Sequence, residues 1–473
     1  MTRPFSTTTK LYSWQQAAVD KLVRPRVSAL FMDMGTGKTR TAIELVARRQ
    51  RRISNVVWFC PVSLKETIEY EIGKHTDGAS VHVFDANGLT DMRNVPRAFW
   101  YVVGIESMSS SDRTVLTANA LINPASYVLV DESGYIKGHH ALRTQRITAL
   151  SARARYRTIL TGTPMSQGVQ DLFSQMGFLS PKILGYNSFY SFAANHLEYS
   201  EKYPGLVVRA HNTEWLAAKM QPYVYQVTKD ECLDLPDKLF DRRYFGMTDE
   251  QREAYQRAKY EILFNLDDDE IDSYVIFRLF TALQQITSGF WNYRPHVGAE
   301  PHLLEFEHRR TDALLDAVAD LPAGAQVVIW CKFVYSLRQI AETLGAARGA
   351  DGVALFYGGL DARERSVELA RWRHGDVRFL VATQATGGHG LDMTNAHYVM
   401  FYENSFKYAQ RLQAEDRCHR IGQTERVTYL DLVCRRSIDE RIQKALHEKG
   451  DALKDFRREI DKVKDKKAAA ERL

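Results

Sequence analysis

The sequence predicts an α/β protein in which two parallel-sheet domains stand in tandem with a mostly helical insertion between them. Three observations predict this. Short runs rich in Val, Ile, Tyr and Phe recur in two separate series, and stretches with helical spacing separate the runs within each series. The runs are apolar throughout rather than alternating, which fits strands buried on both faces, as in parallel sheets covered by helices. The chain is 473 residues long, more than one core comfortably serves, so two or three domains are expected.

The first series is VSALFM (27–32), NVVWFCP (55–61), VHVF (81–84), WYVVGI (100–105), YVLVDE (127–132) and RTILTGT (157–163), and it places a first domain over 1–165. Residues 166–310 read differently: SFYSFAANHLEY and DEQREAYQRAKYEILFNL have helical spacing, and DDDE interrupts them. This is the expected insertion and linker. The second series is VVIWCKF (327–333), VALFYGG (353–359), RFLVATQ (378–384), YVMFYEN (398–404) and VTYLDLV (427–433), giving a second domain over 311–448. Residues 449–473 mix charges at helical spacing with little apolar stripe, as in a solvated helix or a basic tail.

Composition narrows the class. Charged residues at 26% and hydrophobic ones at 45% are ordinary for a soluble globular chain. The net charge of +5 is small for this length, so it permits a nucleic-acid partner without demanding one. Cys60, Cys232, Cys331, Cys418 and Cys434 form no CxxC pair, which favours reduced thiols. The start, MTRPFSTTTK, has no signal-peptide character. No apolar run approaches the roughly eighteen residues of a membrane span. A soluble intracellular protein is expected, in the cytoplasm of a bacterial or phage-infected cell or in a eukaryotic nucleus.

The chemistry starts at MDMGTGKTR (32–40), which follows an apolar strand and precedes the amphipathic TAIELVARR. Strand, glycine-rich loop, Gly-Lys-Thr and helix is the P-loop context. Gly35, Thr36 and Gly37 would turn backbone N–H groups toward phosphates at a helix N-terminus. Lys38 would reach the β- and γ-phosphates, and Thr39 would hold Mg²⁺. Met32 stands where the usual pattern has its first glycine. YVLVDESGYIKG (127–138) then ends a buried strand in Asp131 and Glu132. Asp131 suits the Mg²⁺ shell, and Glu132 suits a base that orients the attacking water. ILTGTP (159–164) adds a third strand-to-turn element with small hydroxyls at Thr161 and Thr163.

GKT, DE and TGTP in that order, followed by a second α/β series ending in QAEDRCHRIGQ (413–423), resemble a superfamily 2 helicase-type motor. The last motif is similar to that of the Swi/Snf-like family of double-stranded DNA translocases. LYSWQQAAVDKL (11–22) resembles the glutamine motif before the P-loop, and CPVSLKETIEYEI (60–72) the first DNA-contacting segment. The stretch 227–256 resembles the passage into the second domain. FYGGLDARER (356–365) and ATGGHGLDMTNAHYVMFYENSF (385–406) resemble that domain's later motifs.

The resemblance implies two RecA-like domains, ATP and Mg²⁺ as cofactors, and a monomer gripping double-stranded DNA by its phosphate backbone, with no membrane. It gives the arginines of QAEDRCHRIGQ a task. Arg420 would be the finger on the γ-phosphate, worth roughly a thousandfold or more in rate. Arg417, three residues away and expected on the same helical turn, would be its partner. Gln413 would read the γ-phosphate or the water, and His419 would bond across a cleft. A zinc site at Cys418 and His419 is the alternative, and two adjacent side chains on a helix point apart. Gln15, or its competitor Gln16, would read the adenine edge. Gly390 and Asp392 would lie near the ribose and phosphates or couple to DNA. Lys65, Ser107, Lys332 and Phe333 occupy segments similar to those that touch the tracked strand.

The chain departs from the family at Gly134, where histidine or a near equivalent is usual, and at NSFKY (404–408), where Trp-Asn-Pro is common. Loose coupling of ATP turnover to DNA is the expected consequence. Short flanks suggest a minimal motor. Beside a duplex translocase stand two alternatives: a strand-separating DNA or RNA helicase, and an ATP-dependent clamp that does not step.

Overall fold

In the computed structural model of the chain, which describes residues 5–84, 95–165, 168–200, 207–264, 273–294, 300–348, 352–387 and 391–448, every run of the first series is a strand of one sheet. That sheet is parallel throughout, in the order Val224–Val227, Val27–Met32, Tyr156–Thr161, Ser126–Asp131, Asn55–Cys60, Trp100–Gly104, Val81–Val83. Its strands are apolar on both faces because both faces are covered. Ala29, Phe31, Val57 and Phe59 enter one core, and their neighbours Leu30, Met32, Val56 and Trp58 enter the other.

The second series behaves the same way. Its sheet runs Lys238–Phe245, Val427–Cys434, Tyr398–Phe401, Val327–Cys331, Phe379–Thr383, Val353–Phe356, again all parallel. Val327 and Ile329 face one core, and Val328 and Trp330 face the other.

The chain divides at Asp234 and Leu235 into two compact units. The stretch expected as a separate helical insertion, 166–310, is therefore shared between them. Helices Asp171–Leu179 and Phe189–His196 pack on the first unit's core through Leu172, Met176 and Phe192. Helices Asp249–Phe264 and Ser273–Thr287 pack on the second through Tyr255, Leu279 and Leu283. The stretch also supplies an edge strand to each sheet, Val224–Val227 and Lys238–Phe245. The DDDE interruption and the tail 449–473 lie outside the described residues. Among the described residues no helix is long and apolar enough to cross a membrane.

Candidate active site

The three nucleotide motifs sit at the C-terminal ends of three neighbouring parallel strands, where ligands bind in open α/β sheets. Register brings them level: Asp131 pairs with Leu160, and Phe31 with Thr161. Just beyond, Gly162 backs onto the P-loop. A Cβ there would stand 3.3 Å from the Met34 nitrogen and 3.4 Å from the Met32 oxygen, so the close approach needs glycine.

The P-loop turns at Gly35 and Gly37, whose φ values are 80° and 86°. Helix Lys38–Arg49 follows directly. Lys38 Nζ donates to the carbonyls of Met32 at 2.8 Å and Asp33 at 3.2 Å, so the ammonium lies over the loop. Thr39, on the first turn of that helix, is half-buried. Thr36 is internal: its hydroxyl donates to the Asp33 carbonyl at 2.7 Å, and its backbone N–H reaches the same oxygen at 3.3 Å.

Gln15 does something other than the adenine reading expected of it. It is 2% exposed, and its Nε2 donates to the Thr36 carbonyl at 3.2 Å while its Oε1 accepts from the Tyr12 N–H at 3.0 Å. Both ends of the amide are engaged in shaping the loop. A Cβ on Gly37 would fall 2.1 Å from Nε2, a second reason for glycine there. Trp14 Nε1 donates to the same Thr36 carbonyl. Gln16 is occupied with Asp20 at 2.7 Å.

Asp131 is buried, and its carboxyl is pushed up to about 7, chiefly by burial and then by the charge of Glu132, against the opposing pull of Lys38. Glu132 N–H donates to Asp131 Oδ1 at 2.9 Å. Glu132 itself is left-handed, with φ 47° and ψ 59°, a conformation uncommon for a non-glycine residue. A buried carboxylate whose charge is disfavoured, next to a second carboxylate and level with a P-loop, is the donor set that a hard dication suits. Thr39 and Asp131 therefore fit Mg²⁺.

One residue at this site escaped the sequence reading. Gln175 accepts from Ser133 Oγ at 2.6 Å and donates to the Pro164 carbonyl at 2.8 Å, tying the Asp-Glu segment to the TGTP turn. The available signal was a lone amide inside the apolar helix DLFSQMGFL, where a buried polar group must find partners.

In the second unit, helix Tyr408–Glu415 ends before Arg417, and residues 416–422 are turns and bends. Arg417 and Arg420 thus do not share a helical turn as expected. The chain breaks because Gly422, at φ 100°, and the Gln423 amide define a different path: Gln423 Nε2 donates to the carbonyls of Thr394, Ala396 and Cys418. Arg417 is buried, with Nε on the Gln413 carbonyl at 3.2 Å. Arg420 is half-buried. Nη1 donates to the Leu391 carbonyl at 3.1 Å, Nε is buried with no hydrogen-bond partner, and no ion pair holds it among the described residues. Its charge contrasts with that of Arg411, which is buried between Asp431 and Glu415 and bonded to Asn404.

His419 Nε2 donates to the Pro236 carbonyl at 2.8 Å, within its own unit and not across a cleft. The Cys418 thiol is buried in an apolar cluster, and among the described residues no group of three or more His, Cys, Asp or Glu could hold a metal ion. Asp392 Oδ1 accepts from Thr394 N–H and Oγ1, which closes a local turn. Gly390 lies outside the described residues.

The expected DNA contacts fare unevenly. Lys65 Nζ donates to the Phe84 carbonyl at 2.7 Å, and Ser107, half-buried, opens the short helix Ser107–Ser110. Lys332 points inward: Nζ donates to Gln284 Oε1 at 2.8 Å and lies 3.1 Å from the Phe406 ring centroid. Burial holds its ammonium well below the usual lysine range despite Glu403 and Asp439, so it is no phosphate contact here. Phe333 packs edge-on against Phe290 at 5.4 Å.

Comparison with known proteins covers both units. The family model described as SNF2-related domain matches residues 21–288, and the helicase conserved C-terminal domain matches 310–422. Chromodomain-helicase-DNA-binding protein 1-like of Danio rerio is 25% identical, over 86% of this chain and 40% of that protein. The ATP-dependent helicase brm of Drosophila melanogaster is 25% identical, over 87% of this chain and 26% of its own length. A probable global transactivator of Orgyia pseudotsugata multicapsid polyhedrosis virus is 24% identical, over 90% of this chain and 86% of its own. The chain thus spans well under half of the first two. The Sulfolobus solfataricus SWI2/SNF2 ATPase core in complex with dsDNA aligns with a TM-score of 0.44 and 23% identity, over 94% of this chain and 92% of that one.

Proposed function

The chain belongs to the SNF2-related family of superfamily 2 ATPases, and from that membership we propose that it is an ATP-driven translocase on double-stranded DNA. The observation that carries the reading is the order of matched parts. The SNF2-related model runs through the Gly-Lys-Thr, Asp-Glu and TGTP elements, and the helicase C-terminal model runs to Gly422 within QAEDRCHRIGQ. The relatives' printed descriptions, chromodomain helicase and a SWI2/SNF2 core with duplex DNA, favour a duplex substrate over a single strand.

The residues divide the work. Lys38, drawn from the Met32 and Asp33 carbonyls, binds the β- and γ-phosphates. Glu132 orients the attacking water and takes its proton. Mg²⁺, held by Thr39 and Asp131, neutralises phosphate charge when bound. Arg420 meets the charge that grows on the γ-phosphate in the transition state, and Gln413 and Arg417 position it. Movement along DNA displaces a bound factor or remodels a junction.

ATP turnover measured against duplex DNA, single-stranded DNA and RNA, at two salt concentrations, tests the substrate. Duplex should stimulate most, and salt should weaken the effect. Displacement of a triplex third strand tests movement, because it requires travel and no opening of the duplex. Equal stimulation by RNA would favour the helicase alternative. Turnover without third-strand release would favour the clamp.

Gly134 offers a separate test. A Cβ there meets nothing within 4 Å, and the position lies outside the positive-φ set. Gly134→His should therefore fold with a stability within roughly 0.5 kcal/mol of the parent. By restoring the side chain the family usually carries, it should raise the ratio of DNA-stimulated to DNA-free turnover several-fold. An unchanged ratio would separate Gly134 from coupling.

A further inference from the structure

The first unit contains a cavity of about 430 Å³ away from the nucleotide motifs, within the size range of small-molecule sites. Helices Leu142–Ser151 and Asp171–Leu179 form its sides, and Arg157, near the start of a central strand, closes its floor. Phe173, Leu184, Tyr186 and Ala149 make much of the wall apolar.

Into this apolar space the chain puts four polar atoms without hydrogen-bond partners among the described residues: Thr144 Oγ1, Thr148 Oγ1, Ser174 Oγ and Arg157 Nε. Thr144 is 4% exposed and Ser174 7%. Buried polar groups are ordinarily satisfied, and four orphans lining one cavity call for an occupant that satisfies them together. Thr144 and Thr148 lie one helical turn apart and so share a side. Arginine only donates, and hydroxyls can donate, so the set asks for an acceptor-rich partner. Its charge is limited to one. Arg157 has no ion pair among the described residues and loses basicity through burial alone. His139, on the cavity's edge, is kept toward its neutral form by burial and by His140. A single planar cation among apolar walls matches a carboxylate on an apolar body better than a dianionic phosphate.

We propose that this cavity is a binding site for a small amphipathic carboxylate, with its oxygens on Arg157 and the Thr144, Thr148 and Ser174 hydroxyls and its apolar part against Phe173, Leu184 and Tyr186. The proposal is independent of the motor reading. The site has a route to the motor, since Ser174 adjoins Gln175, whose amide ties Ser133 to Pro164.

Isothermal titration of the full chain with octanoate, 4-phenylbutanoate and indole-3-acetate, each beside its neutral amide, tests it. At least one acid should bind saturably, with its amide weaker by roughly tenfold or more. Arg157→Gln should lose a similar factor. Thr148→Val, which keeps the shape and removes a hydroxyl, should lose affinity while its thermal unfolding matches the parent. The proposal is overturned if none of the acids saturates, if acid and amide bind alike, or if both variants bind as the parent does.

Discussion

Glu132→Gln should bind ATP as the parent chain does and hydrolyse it roughly 10²–10⁴ times more slowly, the range expected for loss of a general base. The substitution preserves shape and hydrogen-bonding length. The backbone N–H that reaches Asp131 Oδ1 also remains, so the left-handed turn at φ 47° has no new reason to relax. A second consequence follows from electrostatics. Glu132's negative charge is one of the two causes that push the Asp131 carboxyl up to about 7. Removing that charge lowers Asp131's pKa, so the carboxylate persists to lower pH. Below pH 7 the parent's Asp131 gains a proton and holds Mg²⁺ less well, whereas the variant keeps its ligand. Binding of a fluorescent ATP analogue with Mg²⁺ should therefore weaken less between pH 8 and pH 6 in the variant than in the parent, with single-turnover hydrolysis as the companion measurement. Turnover within a few-fold of the parent would remove Glu132 as the base.

The two sheets were legible because their central strands are sealed on both faces. VSALFM and VVIWC must be apolar at every position when alternate residues enter different cores. The edge strands were not. VYQV is short, and KLFDRRYF has six consecutive exposed residues from Leu239 to Tyr244, so burial leaves no pattern in it. Residue type located the P-loop and the Asp-Glu pair, since glycine, lysine and paired carboxylates at strand ends have few other uses. It could not foresee how donors are shared. The Gln15 amide has no external reader in this structure because the P-loop carbonyl of Thr36 takes it first. Lys332 looks like a surface cation in sequence, yet Gln284 and the Phe406 ring enclose it, and both are distant along the chain. The helical spacing inferred for Arg417 and Arg420 failed for a similar reason: Gln423, at the end of the motif, binds three carbonyls and sets the path of the turn.

Arg420→Ala should lower turnover by roughly 10³-fold or more while leaving ATP affinity and duplex binding close to the parent's. An arginine that acts on charge developing in the transition state contributes to kcat and little to ground-state binding. The structure supplies the reason to choose this residue from its neighbours. Arg411 is neutralised by Asp431 and Glu415, and Arg420 has one neutral carbonyl and an orphaned Nε. A cation left so lightly engaged retains its reach for phosphate, and the hydrogen bond to Leu391 is a small loss on moving. Arg411→Ala makes the contrast measurable. It strands two buried carboxylates, so it should cost about 3–5 kcal/mol of stability, and any loss of activity should follow unfolding. Arg420→Ala should leave the unfolding midpoint within a degree or two, because one hydrogen bond of a half-buried side chain is worth about 1 kcal/mol or less. Arg420→Lys keeps the charge and loses the planar fork, so its turnover should fall between parent and alanine. If Arg420→Ala instead unfolds early and its residual activity tracks the folded fraction, the residue is a staple on Leu391, and the transition-state charge must come from elsewhere.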